Sequence, residues 1–287
     1  MQNIDISIYV PVYNGEKTIE KCINSILKQS IKPEKILIIN DCSNDGTKDI
    51  LEKYQDNIEI INNDKNLGLS YSRNLAINSL KSRFIASIDA DVEVNNRWLE
   101  ILYKKLLDKD ITLIGGRMFE KHLDNPFNFW RSIRIGQQWG NEDILDPKFV
   151  FGCNNLLDTK KINKKKIFNK FAGYFKSNGE DIEFSNYLKS ENHRLYYSSE
   201  ALCYHLQDDD AKSLSKRYWR YIHYGDGLKK RNYFKTIKNL IRQLKKTLKW
   251  SFIDLFKLRI KLILINFIVF YNFSKIDIRF VKKDNYD

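Results

Sequence analysis

Phe84-Ile85-Ala86-Ser87-Ile88-Asp89-Ala90-Asp91 is a five-residue apolar run that breaks into a turn bearing two carboxylates. A run of that length and composition suits a buried strand. The same plan repeats upstream. Ile6 to Val12 predicts a strand leaving through Tyr13-Asn14-Gly15, and Ile36 to Ile39 one leaving through Asp41-Cys42-Ser43-Asn44-Asp45-Gly46. Ile58 to Ile61 predicts a third, which exits through Asn62-Asn63-Asp64. Helical signals separate these strands. Ile19, Cys22, Ile23, Ile26 and Leu27 recur at i, i+3, i+4, i+7 and i+8; Gly46 and Thr47 open a second helix, and a third covers about 69–80. Beyond the quoted stretch come a helix over 98–107 and a strand over 111–114. This βαβα succession predicts an α/β fold with a mostly parallel central sheet and helices on both faces.

Asn14, Asp41, Asp64, Asp89 and Asp91 each follow the carboxyl end of a predicted strand, the edge where open α/β sheets bind ligands. Strand-end turns are polar in any fold, so the signal lies in four strands delivering amides or carboxylates to one rim. Two nucleotide fingerprints fail there. No G-x-G-x-x-G follows the first strand, and Lys17 lacks the glycines of a Walker A loop. An acidic rim that holds a phosphate ester needs a cation between the like charges. The hard oxygens of Asp89-Ala90-Asp91 suit Mg²⁺ or Mn²⁺, which take few protein carboxylates and complete their shell with substrate phosphates.

The chain has 287 residues and is 43% hydrophobic, which supports a large core and excludes global disorder. Cys22, Cys42, Cys153 and Cys203 have no C-x-x-C spacing, so a reducing compartment fits and all four are expected in the core. MQNIDISIYV carries no secretory signal, and the apolar stretch Leu262 to Phe273 is interrupted by Asn266 and Asn272. It falls short of the ~20 residues of a membrane-crossing helix, so the expected location is cytoplasmic. Charge is uneven. The net is +13, yet residues 211–287 hold 20 basic and 5 acidic side chains while 1–210 are near neutral. Ile237, Leu240, Ile241, Leu244 and Leu248 trace a helical stripe, with Lys238, Arg242, Lys245, Lys246 and Lys249 expected mainly on the other face. Such a helix suits an anionic membrane surface; the alternative is a helix packed on the rest of the chain with solvated lysines. No nucleic-acid-binding motif accompanies the basic residues, and no nucleic-acid partner is expected.

Val10-Pro11-Val12-Tyr13-Asn14, Asn40-Asp41-Cys42-Ser43-Asn44-Asp45-Gly46-Thr47, Asn66-Leu67-Gly68 with Arg73-Asn74, and Asp89-Ala90-Asp91 resemble, in order, the motifs of the family 2 glycosyltransferases. Gly152-Cys153-Asn154 and Gly179-Glu180-Asp181 extend the likeness over roughly residues 4–210. The resemblance implies a GT-A fold, Rossmann-like, that uses a nucleotide-diphosphate sugar with Mn²⁺ or Mg²⁺ and inverts the anomeric carbon. It implies that Pro11, Tyr13, Asn14 and Glu16 line the nucleotide pocket and that Asp41 hydrogen-bonds the base. Arg73 would face the diphosphate or donor sugar, and Asp89 with Ala90 would contact the ribose or sugar. Asp91 would ligate the metal, with Asp89 and His205 as further ligands. Asp181 would be the catalytic base, with Glu180 in reserve. Cys42 stands where the family usually has Gly or Asn.

These residue types suit the chemistry. A divalent ion neutralises a leaving diphosphate without a proton donor, and inversion needs one carboxylate to take the proton of the attacking hydroxyl. Each also has a plainer reading. Glu180 and Asp181 suit the N-terminus of a helix over 182–189, Arg73 a helix face, Asp45 its own turn, and His205 a structural place after a strand over 201–204. The expected organisation is a catalytic domain over 1–210, divided at 115/116 into nucleotide-sugar-binding and acceptor-binding parts, and a basic amphipathic helical region over 211–287. Transfer of a single sugar, from a UDP-sugar for preference, to a glycan or lipid-linked saccharide is expected over polymerisation. Arg217-Tyr218-Trp219-Arg220 lacks the glutamine of Q-x-x-R-W, though Arg217 or Arg220 would help to bind acceptor or diphosphate. The alternatives are a polyprenyl phosphate acceptor and a non-catalytic membrane-docking scaffold. The protein is placed peripherally on the inner face of the cell membrane.

Overall fold

The computed structural model describes residues 4–163, 179–223 and 233–282. Parts of the expected acceptor-binding and C-terminal regions (164–178, 224–232 and 283–287) lie outside the described residues. The chain runs β1 (Ile6–Val12), α1 (Ile19–Leu27), β2 (Lys35–Asn40), α2 (Thr47–Glu52), β3 (Glu59–Asn62) and α3 (Leu69–Ser79). It continues with β4 (Phe84–Ile88), β5 (Val92–Val94), α4 (Trp98–Asp108), β6 (Leu113–Glu120), α5 (Pro126–Arg134), β7 (Ile144–Leu145) and β8 (Asn154–Asp158). After them come α6 (Glu180–Ser190), β9 (Leu195–His205), α7 (Ala211–Ile222), α8 (Tyr233–Phe256) and α9 (Ile260–Lys282).

The strands form one sheet in the order β3-β2-β1-β4-β8-β6-β9-β5, with β7 on β9. β3-β2-β1-β4 is parallel throughout, as is β6 with β9. β8 enters antiparallel between β4 and β6, and β5 and β7 pair antiparallel with β9. β1 and β4 are buried along their whole length, which is why they read as continuous apolar runs: both faces are covered. On one face Ile8, Val10, Ile38 and Ala86 meet Ile19, Cys22, Ile23 and Ile26 of α1 and Trp98, Leu99 and Leu102 of α4. On the other, Tyr9, Leu37, Ile39 and Ile85 meet Ala76 and Ile77 of α3. Truncating a core residue such as Ile23 to Ala would cost ~2–5 kcal/mol.

Two sequence expectations are corrected. β6 does not stop near 114 but runs to Glu120, through Gly115-Gly116. A Cβ on Gly116 would lie 2.3 Å from the Ala201 carbonyl oxygen, so this glycine admits the neighbouring strand rather than ending its own. Cys42 is exposed, whereas the other three cysteines are buried; its φ of 62° belongs to the left-handed region that Gly or Asn takes more easily.

Two compact units are present. The first comprises Met1–Lys121 and Gln137–Gln207, and the second His122–Gly136 and Asp208–Asp287. The second unit therefore takes in α5, from within the 116–210 part, beside α7, α8 and α9. Within it, α9 packs against α5, α7 and α8. The apolar stripe of α8 does not face inward, unlike the stripe of a helix packed on the chain. Thr236, Asn239, Gln243, Thr247 and Asp254 are buried, while Ile237, Ile241, Leu244 and Leu248 are exposed and Leu240 is half-buried. Hydrogen bonds set this orientation: Tyr218 Oη donates to Gln243 (2.7 Å), Asn239 to Asp277 (3.1 Å), and Arg134 to Asp254 (2.6 Å). Lys246 lies over the Trp250 and Tyr218 rings instead of standing free in solvent. Among the described residues, no helix is long and apolar enough to cross a membrane.

Candidate active site

The loops that leave β1 and β2 are fastened to each other. Asn14, at φ 54°, donates its N–H to Ser43 Oγ (3.0 Å) and accepts from the Asn44 N–H (2.9 Å). Gly15 N–H donates to Thr47 Oγ1 (2.8 Å), Glu16 N–H to Asp45 Oδ2 (3.1 Å), and Gly46 N–H to Glu16 Oε2 (2.9 Å). Although its partial burial acts in the opposite direction, hydrogen bonds from Thr47 and Glu16 hold the Asp45 carboxyl below the usual range. Pro11 is the next-to-last residue of β1, paired with Ile39, and Tyr13 stands exposed at the loop's start. A Cβ on Gly15 would lie 3.7 Å from the Ala90 Cβ, so the β4 turn adjoins this fastened pair.

Asp41 is buried and staples the next loop. Its Oδ1 accepts from Asn63 Nδ2 (2.7 Å) and the Leu67 N–H (2.9 Å), and its Oδ2 from the Gly68 N–H (2.7 Å). A carboxylate has about four lone-pair sites, so these donors leave one for an incoming group. The staple fixes the start of α3, which carries Arg73.

Arg73 joins two parts of the rim. It is 2% exposed; Nη2 donates to Asp89 Oδ1 and Nη1 to Glu180 Oε1, each at 2.7 Å. Burial disfavours its charge, but Asp89 and Glu180 raise its pKa and keep it a cation. Glu180 and Asp181 open α6 behind Gly179, whose φ is 87°. Asp181 Oδ2 accepts from the Gly152 N–H (3.2 Å), and Oδ1 from the Ile182 N–H (2.8 Å). Burial pushes Glu180 up to about 7 and raises Asp181, both against the pull of Arg73. A small cavity, about 10 Å³, lies between Tyr9, Arg73, Gly152 and Asp181, room for about one water. Among the described residues, Arg73 Nε and Glu180 Oε2 are buried without a hydrogen-bond partner.

Beyond Ala90, Asp91 meets His205 at the end of β9. His205 Nε2 lies 3.1 Å from Asp91 Oδ2 and its Nδ1 2.9 Å from Glu120 Oε2. This donor set fits a divalent cation of the Mn²⁺ or Mg²⁺ kind. It offers a hard carboxylate oxygen beside an imidazole nitrogen whose other nitrogen is held by a carboxylate, the arrangement usual for a metal-binding histidine. Among the described residues no three His, Cys, Asp or Glu side chains form a complete cage. Such an ion would draw the rest of its ligands from substrate oxygens and water. Asp89 turns instead to Arg73.

The rim thus brings together Asp89, Arg73, Glu180 and Asp181 as one network and Asp91 and His205 as a neighbouring pair. Asn14, Glu16 and Asp41 act on the loops, each bonded to the chain itself, while Pro11 lies within β1. Arg217 lies in the second unit, 3.5 Å from Asp209, which Arg131 also holds. Sequence reasoning missed Glu120 and Gly152's contact with Arg73. Glu120 was within reach, because it ends β6 in register with His205 at the end of the parallel β9.

A family model for glycosyl transferase family 2 matches residues 7–178. Among curated relatives, glycosyltransferase GlyG of Streptococcus pneumoniae is 26% identical over 208 residues, covering 67% of this chain and 64% of that protein. S. aureus TarS 1-349 in complex with UDP-GlcNAc superposes with a TM-score of 0.57 at 19% identity, over 76% of this chain and 65% of that one. Mannosyltransferase PcManGT from Pyrobaculum calidifontis, in complex with GDP-Man and Mn²⁺, gives a TM-score of 0.52 at 15% identity, over 77% and 65%. These two likenesses establish the GT-A fold. The chain spans less than two thirds of the length of the first curated relatives it matches.

Proposed function

The chain belongs to glycosyl transferase family 2, and we propose that it is a metal-dependent, inverting glycosyltransferase that moves a single sugar from a nucleotide-diphosphate sugar to a hydroxyl. A UDP-sugar is the favoured donor, and the acceptor class is a glycan or a saccharide on a lipid carrier at the inner face of the cell membrane. The observation that carries this reading is the buried Arg73 bridge, which ties the β4 turn of Asp89 to the α6 start of Glu180 and Asp181.

Asp91 and His205 would hold the metal, with Glu120 orienting the imidazole. When bound, the divalent ion would neutralise charge on the departing diphosphate. Pro11, Tyr13, Asn14, Glu16 and Ala90 would form the floor and wall of the nucleotide pocket, and the remaining lone pair of Asp41 would meet the base. Asp89, oriented by Arg73, would accept from the ribose or sugar. Asp181 would take the proton of the acceptor hydroxyl as its oxygen bonds the anomeric carbon; the bond from that carbon to the diphosphate oxygen breaks, and nucleoside diphosphate leaves. Burial supports that role, because a carboxylate with a raised pKa is a stronger base than one in water. Glu180 holds Arg73 and so acts as a positioning residue.

The pairing of Mn²⁺ with GDP-Man and the presence of UDP-GlcNAc in the two structural neighbours support the donor and metal classes. The test is a panel of UDP-, GDP- and other nucleotide sugars, each assayed for hydrolysis with Mn²⁺, with Mg²⁺ and with chelator. Metal-dependent release of the nucleoside diphosphate from at least one donor is expected. Turnover of none under any metal condition defeats the reading.

A further inference from the structure

A surface helix in water turns its apolar side inward; α8 does the reverse. Ile237, Ile241, Leu248, Phe252 and Leu255 are each more than half exposed. They recur at spacings of three, four and seven residues, forming a stripe about 27 Å long at 1.5 Å per residue. The inward positions are polar and engaged, as the bonds of Asn239, Gln243 and Asp254 show. The stripe continues into the α8–α9 turn, where Phe256 (72%) and Leu258 (84%) are more exposed still. Leu258 sits at φ 54°, which costs a branched side chain free energy, and the turn is thus held in a strained form that projects an apolar residue. Scattered exposed leucines need no explanation, but a continuous apolar stripe marks an interaction surface.

Charge identifies the occupant. Residues 233–279 contain eleven basic residues and two acids, Asp254 and Asp277, and both acids are fully buried. Lys238, Arg242, Lys245 and Lys249 are exposed and follow the stripe along one flank at helical spacing. An apolar strip edged by cations matches the boundary between acyl chains and anionic headgroups. Because no described helix can cross a bilayer, the fit is to one that lies in its surface.

We propose that the outward face of α8 and the α8–α9 turn form a docking surface for an anionic phospholipid bilayer, with the apolar stripe at the acyl boundary and the flanking cations on lipid phosphates. This inference concerns the second unit alone and stands apart from the transfer chemistry.

The test is co-sedimentation of the full chain with vesicles of phosphatidylcholine, alone or with about one third phosphatidylglycerol. Binding is expected to the anionic vesicles only, to fall at least about tenfold in Leu248→Glu/Phe252→Glu, and to weaken with added salt. Both residues are exposed, so circular dichroism and UDP binding are expected to be unchanged. If that variant does not fold, Lys245→Gln/Lys249→Gln supplies the same comparison with a smaller loss. Equal binding to both vesicle types, no binding, or binding that neither variant weakens overturns the proposal. So does a stable dimer that Leu248→Glu/Phe252→Glu dissociates without vesicle binding, since the face would then belong to a second copy. Vesicle binding by a chain that fails to bind UDP leaves the docking surface standing and removes the enzymatic reading instead.

Discussion

Gly152→Ala is the sharpest perturbation that the rim offers. A Cβ at that position would lie 1.9 Å from Arg73 Nη1, 2.7 Å from Cζ and 2.9 Å from Nη2. The guanidinium must retreat by about 1.5 Å to reach ordinary contact, taking roughly 3.4 Å as the lower limit of that contact. Nη1 is also the atom that bonds Glu180 at 2.7 Å, and a retreat of that size breaks the bond. Breaking a buried ion pair costs ~3–5 kcal/mol because it strands a charge, and partial relaxation brings the expected loss to about 3 kcal/mol. Urea unfolding of Gly152→Ala, Arg73→Ala and the double variant measures this directly. If the methyl acts through the guanidinium, Gly152→Ala costs little in the Arg73→Ala background, a strongly non-additive cycle. UDP binding should weaken in both single variants, as Asp89 loses its orientation. A Gly152→Ala protein as stable as the parent, or a cost that persists undiminished without Arg73, would refute the reasoning.

Asp181→Asn should lower turnover with a hydroxyl acceptor by ~10²–10⁴ and leave donor affinity within about twofold; retained turnover would point to an acceptor already anionic, such as a polyprenyl phosphate. The pH profile of kcat/KM should show the same group. Burial, opposed by Arg73, raises Asp181 and brings Glu180 to about 7, so the ionised base is lost earlier on acidification than a solvent carboxylate near ~4. Activity should therefore fall as pH drops toward that raised range, and an acid limb down at ~4 would contradict it. Glu120→Gln should weaken Mn²⁺ binding by ~10–100-fold with Asp91 and His205 intact, as read by titration of the free-ion resonance signal.

Most of the first unit's fold was legible because β1, β2 and β4 are short, almost wholly buried and followed by polar turns. β1 and β4 begin and end where the apolar runs do. Arg73, Asp89, Glu180 and Asp181 were legible as individual motif residues, but their union was not: the Arg73–Glu180 contact spans 107 positions. Gly115-Gly116 hid Glu120, because a glycine pair reads as a strand's end unless the close approach of β9 is known. The direction of the α8 face stayed open in the sequence for a related reason. Helical periodicity identifies an apolar stripe but not its direction, and that is set by Arg134, Tyr218 and Asp277, which lie on other helices.

The central claim is that Asp91 and His205 hold a divalent ion which, with the Arg73 network, grips a diphosphate at the sheet's carboxyl edge. Calorimetric titration of UDP into the full chain, with Mn²⁺ and then with chelator, tests it most directly. The expected result is binding that requires the metal and weakens by on the order of tenfold or more in Asp91→Asn. Equal affinity with and without the ion, unaltered by that substitution, would contradict it.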